Sequence, residues 1–187
     1  MVKGIALIVS GPSGSGKDTM LRSLLEKYPE IKFSISTVTR PKRGNAEEDC
    51  KYNFVSCETF EQMIENNEFL EYNLYLGNYY GTPKKPVIDA IENGDVIILE
   101  IDVNGAENVR KNMPGIKSVF IMPPSMEELE HRLSGRGTEP AEVVKKRIDQ
   151  AKSEISRSNE YDYIVVNGVL ENAVDELYNI INNIKNI

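Results

Sequence analysis

The chain has 187 residues, 40% of them hydrophobic, enough for one globular domain with a real core and short for two independent ones. A net charge of −7 excludes a general nucleic-acid binder, which needs a basic footprint. No apolar run approaches the roughly 20 residues of a membrane span and the first residues lack the apolar stretch of an export signal, so no membrane partner and a cytoplasmic location are expected.

Taken in chain order, Ile5 to Ser10 is apolar and β-branched and reads as a buried strand, followed by a glycine-rich turn and a helix over about Lys17 to Lys27. The stretch from about Phe33 to Tyr80 is polar, turn-rich and rich in tyrosine, with short strands expected at Tyr52 to Val55 and Phe69 to Tyr75. It reads as a small insertion, residues 33–82, in a core made of 1–32 and 83–187. Cys50 and Cys57 lie there in neither a metal-ligand nor a redox spacing. Val96 to Ile101, Ser118 to Met122 and Tyr163 to Val166 read as further buried strands. Between the last two, Ser125-Met-Glu-Glu128 has the form of a capping box. Val144, Ile148, Ala151 and Ile155 then line one face of a helix, and Leu170, Val174, Leu177, Ile181 and Ile184 line another. Continuous apolar strands alternating with helices predict an α/β fold with a parallel sheet covered on both faces.

Gly11-Pro12-Ser13-Gly14-Ser15-Gly16-Lys17 matches the first seven positions of the Walker A pattern, after a strand and before a helix. Glycines let successive backbone N–H groups converge on phosphate oxygens, the helix N-terminus adds its positive end, and Lys17 supplies a mobile cation for the β- and γ-phosphates. The eighth residue departs from the pattern. Asp18 stands where Ser or Thr offers a hydroxyl to Mg²⁺, and Thr19 follows. Glu100 and Asp102 lie where a second, acidic motif would fall at a strand's carboxyl end, near enough to serve Mg²⁺ through its water shell; the alternative for either, and for Asp102 above all, is to cap the following helix. The fold expected is therefore a P-loop NTPase-type core. Positive charge is concentrated at Arg40, Lys42 and Arg43 and again at Arg132, Arg136, Lys145, Lys146 and Arg147, which suits a small anionic ligand.

Beyond the P-loop, Ser34-Ile-Ser36-Thr-Val-Thr39-Arg40-Pro41-Lys-Arg43, Tyr52-Asn-Phe54-Val55, Phe69-Leu-Glu71-Tyr72, Gly77-Asn-Tyr79-Tyr80-Gly81-Thr82, Asp102-Val-Asn-Gly105, Arg132-Leu-Ser-Gly135-Arg136-Gly137-Thr138-Glu139 and Val166-Asn167 closely resemble guanylate kinases, in order and over nearly the whole chain. The resemblance implies transfer of the γ-phosphoryl group of ATP to GMP, and to dGMP, with Mg²⁺ held mainly by phosphates and water. It implies that Arg40, Arg43, Tyr52 and Tyr80 grip the GMP phosphate. Glu71, Ser36, Thr82 and Asp102 would read the guanine. Arg132, Arg136 and Arg147 would be the arginines of a short helical lid, about residues 125–157, closing over the γ-phosphate, with Asn167 beside the adenine. The stretch Gly44-Asn45-Ala46-Glu47-Glu48-Asp49 departs from the family's turn after the second phosphate arginine. Guanylate kinase-like modules that bind protein partners without activity are the alternative. They tend to lose the P-loop lysine and the lid arginines, which this chain keeps. Oligomeric state is left open by the sequence.

Overall fold

The computed structural model describes residues 3–44, 49–134 and 141–186. Its framework is a five-stranded parallel sheet in the order β2 (Ile31–Phe33), β7 (Val96–Glu100), β1 (Ile5–Ser10), β8 (Lys117–Met122), β9 (Tyr163–Val166). Strand β1 lies at the centre, with Leu7 opposite Ile98 on one side and Lys117 on the other. Alternation along each strand divides the apolar side chains between two faces. Leu7, Val9, Val96, Ile98, Val119, Ile121 and Val165 pack on α1 (Lys17–Lys27) and on α7 (Leu170–Lys185) through Met20, Leu24, Val174, Leu177 and Ile181. Ala6, Ile8, Ile97, Leu99 and Phe120 pack on α3 (Lys84–Glu92) and α4 (Val103–Asn112). Each fully buried side chain of this size contributes about 1.5–3 kcal/mol relative to exposure. The expected parallel core is present.

The segment that breaks the strand–helix rhythm forms its own four-stranded sheet, in the order β4 (Tyr52–Phe54), β3 (Ser36–Val38), β6 (Asn78–Pro83), β5 (Phe69–Tyr75). Strands β3 and β4 are parallel, and β3–β6 and β5–β6 antiparallel. Two of the four strands, β3 and β6, were not anticipated; each takes its strand character from its partners more than from its own short, polar sequence. β5 and β6 are joined by a two-residue turn, Leu76-Gly77, with φ of 48° and 77°, the left-handed pair that suits the twist of a hairpin. Helix α2 (Cys57–Glu65) starts at Ser56, whose side chain accepts from the Thr59 N–H, and seats Phe60 against Phe69 and Tyr79 at ring separations of 4.4 and 5.0 Å. The second sheet thus has an aromatic centre of its own. Cys50 and Cys57 are exposed and lie outside any disulfide.

Helices α5 (Met126–Ser134) and α6 (Ala141–Ser156) pack together through Leu129, Leu133, Ile148, Ala151 and Ile155. One half of the expected capping box forms, the Glu128 N–H donating to Ser125 Oγ at 3.1 Å, while the Glu128 carboxylate accepts from Arg132 instead. Among the described residues no helix is long and apolar enough to cross a membrane.

Candidate active site

A cleft of about 680 Å³ opens at the carboxyl end of the parallel sheet and runs from the P-loop to the second sheet. Its first wall is residues 11–19. Gly14 and Gly16 take φ of 89° and 79°, and a Cβ on Gly16 would stand 2.5 Å from Asn167 Nδ2. Only glycine fits there. The Ser15 carbonyl accepts from Asn167 Nδ2 at 2.9 Å and Arg132 Nη1 at 3.3 Å, which braces the loop from behind. The first-turn amides of α1 have no acceptors within the helix and are available to an anion. Arg147 reaches the loop from α6, Nη2 donating to Ser13 Oγ at 2.7 Å, while Arg132 Nε is held by Glu128 at 2.8 Å.

The Lys17 ammonium contacts the Glu100 carboxylate and lies 3.4 Å from Asp18 Oδ1. Burial alone would lower its pKa, but the two carboxylates outweigh burial and raise it, so the lysine is charged. Asp102 takes the helix-cap position on α4, Oδ1 accepting from Gly105 N at 2.7 Å, and also borders the cleft.

At the other end Glu71 is buried, 8% exposed, and Thr82 Oγ1 donates to its Oε1 at 2.7 Å. An irregularity in the β5–β6 register between Phe69 and Glu71 sets this residue opposite Thr82. Burial pushes its carboxyl up to about 7; the nearby Asp102 charge adds to the rise, and the Thr82 hydroxyl opposes it. Gly105, at the start of α4, lies so close that a Cβ there would be 3.1 Å from Glu71 Oε2. Ser36, Tyr52 and Tyr80 line the same part of the cleft. Arg40 is set one layer back, 7% exposed, its guanidinium 4.8 Å from the Tyr52 ring centre, 5.2 Å from that of Phe54 and 3.6 Å from Asp49 Oδ1. The backbone N–H groups of Arg43 and Gly44 also donate to Asp49. One carboxylate therefore gathers the loop that carries Arg40 and Arg43.

A buried carboxylate at one end of a cleft and a braced P-loop at the other fit a base and a phosphate chain. A family model described as guanylate kinase matches residues 3–184. The chain belongs to the guanylate kinase family. A guanylate kinase of Carboxydothermus hydrogenoformans is 46% identical over 177 residues, covering 95% of this chain and 87% of the relative, and one of Nostoc sp. is 42% identical over 176 residues, covering 94% and 88%. The crystal structure of guanylate kinase from Anaplasma phagocytophilum matches with a TM-score of 0.79 at 35% identity, covering 98% of this chain and 87% of that one.

Placed against the guanylate kinase motifs, the cleft gathers every P-loop residue expected to line it except Ser15, which is buried in the loop's own base. Asn167, expected beside the adenine, is 5% exposed and gives its amide to the P-loop instead of standing free in the cleft. Arg136, with Gly135 and Gly137, lies outside the described residues. Sequence reasoning missed Lys51, Asn73, Tyr75 and Glu154, all of which line the cleft. Two of these had a signal. Asn73 is two residues beyond Glu71 on one strand and so shares its face, and Glu154 is seven beyond Arg147 on one helix. Burial raises the Glu154 carboxyl, opposed by the Gln150 amide at 2.8 Å, with Asp102 raising and Lys17 lowering it further.

Mg²⁺ requires hard oxygen donors. Glu100 and Asp18 supply carboxylates in contact with each other, and the Lys17 ammonium pairs with both. The donor set fits. Among the described residues no group of three or more His, Cys, Asp or Glu is arranged to hold a metal, so phosphate oxygens and water would complete the coordination.

Proposed function

We propose that this chain transfers the γ-phosphoryl group of ATP to GMP, and through the same base contacts to dGMP, giving ADP and the nucleoside diphosphate. The observation that carries this is the pairing, in one cleft, of the P-loop with a desolvated Glu71 held by Thr82. The guanine N1–H and exocyclic amine form a donor pair that a carboxylate accepts, and adenine presents no such pair. Ser36 and Thr82 stand near for the O6 and N7 edge, and Asp102 for the amine edge. Tyr52 and Tyr80 donate to the GMP phosphate, with Arg40 and Arg43 carried on the adjoining loop.

The reaction needs positioning and charge neutralisation more than covalent participation. The P-loop amides and Lys17 hold the β- and γ-phosphates; to do so Lys17 turns from Glu100 to the nucleotide. Arg132 and Arg147 lie against the loop in the structure, on the two helices that form the lid, about residues 125–157. Their guanidinium groups meet the charge that develops on the transferred group. Residues 33–82 act as the GMP-binding unit and close towards the lid, excluding water as a competing acceptor. Phosphate oxygens and water, with Glu100 and Asp18 nearby, would hold Mg²⁺, which would neutralise charge on the phosphates. No observation favours the inactive interaction module, since Lys17 and both described lid arginines sit at the loop.

The test is a coupled assay of ADP formation from MgATP with GMP, AMP, CMP and UMP offered separately. Turnover with GMP alone is the expected result. A folded protein that binds GMP and turns over none of the four overturns the reading.

A further inference from the structure

We propose that Glu154 is a positioning residue of the lid: its carboxylate stands in for phosphate at the Ser13 amide of the P-loop. The phosphate chain of ATP displaces it, which releases helix α6 to carry Arg147 over the phosphates. The inference rests on the P-loop holding ATP, as read above, and is independent of which nucleotide accepts the phosphoryl group.

Helix α6 carries two adjoining stripes. Ile148, Ala151 and Ile155 pack on Leu129 and Leu133 of α5. Arg147, Gln150 and Glu154 recur at spacings of three and four one position earlier, so they share the neighbouring face. That face is turned to the P-loop. Arg147 Nη2 donates to Ser13 Oγ at 2.7 Å, and the Ser13 backbone N–H favours the charged form of the Glu154 carboxyl. Two side chains, two helical turns apart, thus meet one loop residue, the cation at its hydroxyl and the anion at its amide. Glu154 lines the cleft together with residues 11–14 and 16–19. Its other partner, the Gln150 amide at 2.8 Å, is neutral. Of the charges around it, Lys17 favours its ionised form and Asp102 opposes it.

A P-loop is a set of amides shaped for an anion. Among side chains a carboxylate is the closest match to phosphate, since it is charged and only accepts. The two cannot share the site, because ATP brings like charge into a cleft where charges are poorly screened. Lys17 also turns to the phosphates as ATP binds, which removes the charge that favours ionised Glu154. Once displaced, Glu154 unties α6 from Ser13 and leaves the apolar stripe on α5 untouched. ATP therefore binds better to the arrangement in which the lid helix is off the loop, and its arrival shifts the chain towards that arrangement. Sequence patterns for phosphate sites miss such a residue, because they look for cations and glycines.

The experiment titrates MgATP and, separately, GMP into the full chain by calorimetry, for the parent, Glu154→Gln and Glu154→Asp. Glu154→Gln keeps the length of the side chain and an acceptor for Gln150 but loses the charge. It binds MgATP about tenfold more tightly than the parent, the low end of what a hydrogen bond to a charged group is worth. Its GMP affinity and melting temperature hold steady. Glu154→Asp keeps the charge and stays close to the parent for both ligands. MgATP affinity in Glu154→Gln that equals or falls below the parent's overturns the proposal. An equal gain for both ligands also overturns it, since that reports a general opening of the cleft, and so does an aspartate variant that behaves as the glutamine one. Only binding is measured, so failure here is separate from failure of the acceptor assay.

Discussion

The two ends of the cleft are built differently. The phosphate end is nine consecutive residues, 11–19, whose shape is fixed by backbone: two left-handed glycines, a helix start, and a carbonyl held by Asn167 and Arg132. The opposite end, proposed above to read the guanine, is assembled from β3, β4, β5, β6 and the first turn of α4, five pieces brought together only by the fold. Its chemistry lies in side chains, above all in one buried carboxylate. Backbone sites tolerate changes in the surroundings but not in their own residues. Side-chain sites respond to everything packed against them.

The sharpest break of that comparison is at Lys17. Lys17→Ala removes the P-loop's own ammonium from the phosphate end and leaves its backbone intact. Phosphoryl transfer is expected to fall about 1,000-fold, at the upper end of what losing one preorganised charge donor costs. The change also leaves the largely buried Glu100 carboxylate without its ammonium partner, so some loss of stability is expected alongside and the loss of transfer is read against it. Single-turnover rates beside a thermal melt check this. Near-normal transfer by a folded variant ends the assigned role.

The same contrast explains what was legible from the amino acids alone. The P-loop, strands β1, β7, β8 and β9, and the tail helix follow from local pattern: an apolar run, a glycine-rich turn, a stripe at helical spacing. Strands β3 and β6 do not, because Ser36-Thr-Val38 and Asn78 to Pro83 become strands by pairing with each other and with their neighbours. Glu71 was legible as a guanine-reading residue only by resemblance, and its raised pKa was not legible at all. That shift depends on burial by segments more than 30 residues away, with Gly105 and Asp102 among them. Asn167 shows the converse: its motif was recognisable, yet its amide braces the phosphate loop. Lys51 and Tyr75 carried no pattern, because nothing in a charged residue before a strand or an aromatic at a hairpin end says which way it faces the cleft.

The pH response sharpens the comparison further: burial also raises the Glu100 and Glu154 carboxyls at the phosphate end, but there Lys17 opposes the rise. With the Glu71 carboxyl at about 7 against an ordinary 4.5, the folded protein holds the proton more tightly than the unfolded chain. The stability contribution is complete below about pH 4.5 and is lost as pH rises through 7. At about 1.4 kcal/mol per pH unit, the ionised form costs the empty protein about 3 kcal/mol above that range. GMP supplies donors only to the ionised form, so binding releases a proton near neutrality. GMP affinity is expected to fall by up to about tenfold per pH unit below pH 7. The GMP phosphate titrates in the same range, so the diagnostic quantity is the difference between the parent and Glu71→Gln. At pH 8 the variant should bind GMP about 10- to 100-fold more weakly, the worth of a hydrogen-bonded charge. Near pH 5.5 the gap should close, and the empty variant should outlast the parent in alkaline melts. A gap that is the same at both pH values removes Glu71 as the titrating guanine acceptor.

The smallest effect concerns Gly105, which makes no polar contact through a side chain and is invisible to any motif based on charge. A Cβ at this position would lie 3.1 Å from Glu71 Oε2 and 3.3 Å from Asp102 Oδ1, tighter than ordinary contact but short of a clash with backbone. Gly105→Ala is otherwise mild. Its helical position favours alanine by about 0.5–1 kcal/mol, and the added methyl excludes water from the carboxylate beside it. Glu71 must give by a few tenths of an ångström, which lengthens its bond from Thr82 or moves it off the guanine edge. Deeper desolvation also pushes its carboxyl further up. Both effects act on the base alone. The KM for GMP is expected to rise a few-fold, with its pH dependence displaced to higher pH, while the KM for ATP and the melting temperature hold steady. Parallel rises in both KM values would mean that α4 shifts as a unit and that the two ends of the cleft are not as separable as their construction implies.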